Sequence, residues 1–177
     1  MARESLQAPW RMDYIRDLST SGSNTQSLQQ PPKDCFLCQA VKASSDQERR
    51  ERLVLWHSDQ IIVVINKFPY TNGHLLVAPL GHVADLDLLD EPTLLQLQQA
   101  TVRCMRLLRR AMSPQGFNIG INLGRCAGAG LPGHLHQHVV PRWSGDTNFM
   151  SVVGDVRVVP QAMNQLFDEL RSALADL

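Results

Sequence analysis

The stretch GHLHQHVVP, from Gly133 to Pro141, constrains this chain more than any other, because it sets His134, His136 and His138 at strict alternation. In an extended strand successive side chains point to opposite faces, so a period of two collects all three imidazoles on one face and Leu135, Gln137 and Val139 on the other. A helix would fan the same residues around its axis. The β-branched HVV run and the proline that ends it select the strand. At a rise of roughly 3.3 Å per residue the first and third rings stand about 13 Å apart. One ion with ligands at about 2 Å cannot hold all three. Either two of them serve a metal and one is spare, or the row does something other than coordinate a single ion.

The surrounding text is that of an α+β domain. IIVVIN (Ile61 to Asn66) and GHLLVAP (Gly73 to Pro79) read as neighbouring antiparallel strands, joined by KFPYTN, whose Pro and Asn supply the turn. A long helix follows, capped by Asp90 with Pro92 in its first turn. Leu94, Leu97, Thr101, Cys104, Met105, Leu108 and Met112 fall three or four apart along it. Arg103, Arg106, Arg109 and Arg110 lie toward its remaining faces as solvated charge. GFNIGINLG (Gly116 to Gly124) reads as a third core strand. PQAMNQLFDELRSALADL reads as a second amphipathic helix, with Pro160 at its start and Met163, Leu166, Phe167, Leu170 and Leu174 on one side. The expected architecture is an antiparallel sheet with the long helix and the C-terminal helix packed on it. Residues 1–33 form an N-terminal segment whose Ser- and Gln-rich linker has too little apolar surface to offset the entropy of ordering, and residues 34–177 form the domain.

Seventeen basic residues balance seventeen acidic ones. That neutrality gives no support to a role on nucleic acid or at a membrane surface. The N-terminus lacks the apolar stretch of a signal peptide and no later run approaches a membrane span, so the expectation is a cytoplasmic protein. Four cysteines in a reducing compartment then need a reading other than a disulfide framework.

Two features beside the histidines bear on chemistry. GRCAGAGLPG brings Gly124, Gly128, Gly130 and Gly133 together, which suits either a flexible hairpin loop or a nest of backbone N–H groups for phosphate. Next to three imidazoles the nest gains weight. An unprotonated imidazole is a competent nucleophile toward phosphorus, and a neighbouring one can give a proton to the leaving group. CFLC places Cys35 and Cys38 at a spacing that suits tetrahedral zinc, a redox pair or two buried thiols, and no thioredoxin-like frame surrounds it.

HLHQHVV resembles the signature of the histidine triad family of nucleotide hydrolases and transferases, His-x-His-x-His followed by two apolar residues. NKFPYTNGHLLVAP resembles the family's substrate-side hairpin, and GFNIGINLG its next core strand. PWRMDYI, DCFLC and HLHQHVVPRWSGDTNFM resemble the bacterial subgroup described as diadenosine tetraphosphate phosphorylases or hydrolases. The likeness covers the chain apart from the linker.

The resemblance implies a histidine triad fold and a division of roles. His136 matches the nucleophile that attacks the α-phosphate and carries the nucleotide covalently, and His138 the residue that contacts the phosphates and assists departure of the leaving group. His74 matches a further histidine beside the triad. Asn66, eight positions before it, matches the ribose contact, Asn122 with Ala129 and Gly130 the phosphate loop, and Trp143 a subgroup residue near the substrate. Read without the resemblance, His74 is a partly buried strand residue, Asn66 and Asn122 satisfy backbone groups, and Trp143 covers the core. Relatives carry a Ser, Thr or Gln just before the triad, where AGAGLPG offers only backbone; Arg125 is a candidate for the missing cation. Some relatives hold structural zinc with residues matching Cys35, Cys38, His82 and His134. The implied activity is cleavage of dinucleoside polyphosphates with water or inorganic phosphate as acceptor, without an organic cofactor, by a homodimer whose sheets join. A nucleoside phosphoramidase and a nucleotide-binding signalling module are the alternatives.

Overall fold

The computed structural model describes residues 34–146, 160–175 and 177. The expected N-terminal segment and linker, residues 1–33, lie outside them. Five strands form one antiparallel sheet: β1 (Val54–His57), β2 (Ile61–Ile65), β3 (Leu75–Pro79), β4 (Gly116–Ile121) and β5 (Gln137–Arg142), in the order β1-β2-β3-β5-β4. Among the described residues two short helices precede it, α1 (Phe36–Val41) and α2 (Asp46–Glu51). The long α3 (Glu91–Met112) links β3 to β4, and α4 (Met163–Ala175) closes the chain.

The apolar runs of β2 and β3 are continuous because both faces of the sheet are covered. Ile61, Val63, Ile65, Leu75, Val77 and Val139 pack with Leu97, Cys104, Leu107 and Leu108 of α3 and Leu166, Phe167 and Leu170 of α4. The alternate residues Ile62, Val64, Leu76 and Ala78 turn the other way, onto Leu37 and Ala40 of α1. α3 forms as its sequence requires. The Asp90 carboxylate accepts the Thr93 N–H at 2.9 Å, Pro92 occupies the first turn, and the helix ends at Ser113 in the left-handed region. Among the described residues no helix is long and apolar enough to cross a membrane.

Four readings are corrected. The expected third core strand is the edge strand β4, paired with β5 alone and with Ile119 43% exposed. Its composition is that of a strand, but position at the end of the sheet leaves one side without a described partner. The histidine strand begins at Gln137, so His136 lies in an irregular lead-in and His134 at a bend, its N–H turned to Leu131 O at 3.4 Å. There the partner strand ends at Pro79, which has no N–H to give. Leu135 donates its N–H to Val83 O at 2.6 Å instead. The C-terminal helix starts three residues after Pro160. Finally, α1, α2 and β1 were not anticipated, although SSDQE carries a capping box in which Ser45 and Glu48 bond each other's backbone N–H.

Candidate functional site

His134 is fully buried, and its Nε2 lies 2.9 Å from the carbonyl of Pro79. A carbonyl only accepts, so the proton sits on Nε2 and the Nδ1 lone pair faces the other way. That nitrogen is 3.3 Å from Cys35 Sγ, 3.4 Å from Cys38 Sγ and 3.3 Å from His82 Nδ1, while Cys38 Sγ is 3.2 Å from His82 Nδ1. The four donor atoms all lie within 4.8 Å of one another. Ligands at about 2.0–2.3 Å around a tetrahedral ion stand roughly 3.3–3.8 Å apart, so two sulfurs and two nitrogens here match zinc. Cys35 caps α1, and its Sγ accepts the Cys38 N–H at 3.4 Å, which is how the C-x-x-C turn aims both sulfurs at one point. Burial, with Cys35 beside it, pushes the Cys38 thiol up to about 11. A divalent cation reverses that cost by stabilising the thiolate.

The other end of the row is arranged differently. His136 is buried, and its Nδ1 donates to the carbonyl of His134 at 2.8 Å, which leaves the lone pair on Nε2. Its ring centroid is 5.0 Å from that of His138. His138 Nδ1 is 2.9 Å from Nε2 of the fully buried His74. Burial, and then the neighbouring His136, push the His138 imidazole down to about 4, so the ring is neutral at physiological pH. Asn66 touches His74 through Nδ2 to Nδ1 at 3.2 Å.

Behind the histidines Gln137 is buried on the opposite face. It donates to Thr101 Oγ1 at 2.9 Å and accepts from Gln98 at 3.1 Å, tying β5 to α3. In the glycine-rich loop, Gly124 and Gly128 have φ of 78° and 88°, conformations that favour glycine. The Asn122 amide donates to Gly128 O at 3.4 Å and the Ala129 N–H to Gly124 O at 3.2 Å, so both brace the loop, and Gly130 is exposed beside them. Arg125 is exposed in the short turn Arg125–Ala127. The structure does not bring Trp143 to the imidazoles. Its indole N–H bonds Met112 O at 3.3 Å, at the end of α3 on the other side of the sheet.

Three site residues were missed. Tyr70 lies over the imidazoles, its ring 5.8 Å from His138 and within 14° of parallel. Phe36 and Phe68 flank a cavity of about 400 Å³, which Leu53, Ile65 and Asn66 also line. The aromatic pair around the proline of KFPY was the available signal, since exposed aromatics at a turn are rarely needed for packing.

The HIT domain family model matches residues 47–145. An AP-4-A phosphorylase of Mycobacterium tuberculosis is 36% identical over 166 residues, covering 90% of this chain and 78% of that protein. A Zn-bound histidine triad family protein from Mycobacterium smegmatis superposes with a TM-score of 0.63 at 28% identity, covering 81% of this chain and 94% of that one. A hypothetical histidine triad nucleotide-binding protein from Sulfolobus tokodaii gives 0.64 at 24% identity over 81% and 93% of the two chains, a likeness of fold.

Proposed function

The chain belongs to the HIT domain family, and we propose that it cleaves dinucleoside polyphosphates of the diadenosine tetraphosphate type through a nucleotidyl-His136 intermediate. The carrying observation is the His136 ring, whose Nδ1–H is held by the His134 carbonyl so that Nε2 presents a lone pair beside His138. In the first step that lone pair forms an N–P bond to the α-phosphorus as the bridging P–O bond breaks. The bridging oxygen leaves with the bonding pair as the polyphosphate anion, and the His138 Nε2–H donates a hydrogen bond to it. In the second step water, which loses its proton to solvent, or an oxygen of inorganic phosphate attacks the same phosphorus, the N–P bond breaks and His136 regains its lone pair.

The cavity between Phe36 and Phe68 takes the nucleoside, with Asn66 on the ribose. Asn122, Ala129 and Gly130 shape the loop that faces the phosphates. Cys35, Cys38, His82 and His134 hold zinc as a structural clamp that fixes the start of the histidine row. The exposed edge of β4 supports a homodimer in which two sheets continue through that strand. Unpaired cysteines at Cys35, Cys38, Cys104 and Cys126 agree with a cytoplasmic setting.

Incubation with diadenosine tetraphosphate, with and without inorganic phosphate, followed by anion-exchange separation of the products, tests the reading. The relationship to an AP-4-A phosphorylase supports ADP plus ATP formed only with phosphate. AMP plus ATP in either condition means a hydrolase. Absence of turnover in both, with cleavage of an adenosine phosphoramidate, overturns the dinucleotide assignment.

A further inference from the structure

The turn after β2 carries two fixed hydrogen-bond donors that converge on a single nitrogen. The Tyr70 backbone N–H, which cannot rotate or reverse, points at His74 Nδ1 at 3.1 Å. Asn66 Oδ1 accepts the Phe68 N–H at 3.0 Å, which settles the orientation of the carboxamide and makes Nδ2 the donor to the same His74 Nδ1 at 3.2 Å. A nitrogen that accepts carries no proton, so neutral His74 keeps its hydrogen on Nε2. That hydrogen lies on the line to His138 Nδ1, 2.9 Å away. His138 Nδ1 in turn accepts, and the ring's remaining proton is on Nε2, a buried atom without a partner among the described residues.

We propose that Asn66 and Tyr70 are positioning residues: acting through His74, the turn fixes the His138 tautomer with its N–H on Nε2. Asn66 thereby has a second role besides the ribose contact, and Tyr70 one that the sequence did not assign. The consequence is a pair of adjacent imidazoles set in opposite senses. His136 offers a lone pair at Nε2 because a carbonyl takes its Nδ1 proton, and His138 offers a proton at Nε2 because a chain of donors fills its Nδ1. The Tyr70 ring, 4.7 Å from His74 and 5.8 Å from His138, holds both imidazoles in register with that chain.

The test is nitrogen-15 NMR of the full chain with labelled histidine, without nucleotide, at a pH where the site imidazoles are neutral. His74 and His138 are expected as Nε2–H tautomers. Asn66→Asp replaces the Nδ2 donor by an anionic acceptor that competes with the Tyr70 N–H for His74 Nδ1, and should shift part of the His74 population to the Nδ1–H form, with His138 following in the same proportion. In the same variant kcat should fall by up to about 10²-fold, the usual contribution of one positioned hydrogen-bond donor to the developing charge. Asn66→Ala removes one donor but leaves the Tyr70 N–H, so its tautomers should stay as in the unaltered protein and kcat should fall by less. A His138 Nδ1–H tautomer in the unaltered protein overturns the proposal. So does an equal loss of kcat in both Asn66 variants without a change of tautomer, since that outcome assigns the loss to the ribose contact. The kinetic arm rests on the nucleotide-cleavage reading, whereas the tautomers are read without substrate, so the two fail separately.

Discussion

The two ends of the histidine row use one residue type and differ in which ring nitrogen the backbone captures. At His134 a carbonyl takes Nε2, the tip of the ring, and leaves Nδ1, the atom nearest the main chain, which lies deep and is enclosed by Cys35, Cys38 and His82. At His136 a carbonyl takes Nδ1 and leaves Nε2 with the lone pair, beside the His138 ring. Alternation puts the rings on one face, but the choice of captured nitrogen separates a metal ligand from a nucleophile.

That comparison can be broken from either end. The largest effect is expected from His136→Ala. It should lower turnover by at least about 10⁴-fold, as loss of a covalent nucleophile does. Nucleotide binding and zinc content should persist, and unchanged turnover would remove His136 from the reaction. Next comes Cys38→Ala, which takes one of the four metal ligands. Elemental analysis should show zinc falling from about one per chain toward none, and Tm should drop by roughly 10 °C, because metal binding free energy is folding free energy. Retention of full zinc content and Tm in this variant would mean that the cluster is not a metal site.

The smallest effect is a pH dependence of stability at the reactive end. The folded state holds His138 near 4, while an unfolded histidine titrates near 6.5. Between those values the unfolded chain binds a proton that the folded chain refuses. Stability from this group is therefore complete above about pH 6.5 and declines as pH falls toward about 4. Urea midpoints measured across that range should fall with pH in the unaltered protein and fall less steeply in His138→Gln, where His134, which burial also pushes down to about 4, still contributes.

Two strands, β2 and β3, and the long helix were legible because each is written in local pattern, and the C-x-x-C pair was legible as a candidate metal motif, whereas His82 and His134 were joined to it only through the resemblance to the family. β2 and β3 appear as unbroken apolar runs, and α3 carries its cap, its first-turn proline and its apolar spacing within one stretch. The status of β4 was not legible. Edge and centre differ in which strands pair, a matter of topology that six residues of GFNIGI do not encode. The start of β5 was misplaced for a similar reason, since its ladder ends where the partner strand reaches Pro79. The positions of the protons were not readable either. They depend on the carbonyls of Pro79 and His134 and on the amide of Tyr70, backbone groups that every residue type supplies.

The central claim is that one member of the row, His136, carries the nucleotide. The most direct measurement mixes the protein with diadenosine tetraphosphate in the absence of inorganic phosphate, quenches in alkali after milliseconds to seconds, and locates the modification by peptide mass mapping. One adenylyl group per chain is expected, attached at His136 and absent from His136→Ala. An adduct on His134 or His138, or rapid turnover with no adduct at any time, would contradict it.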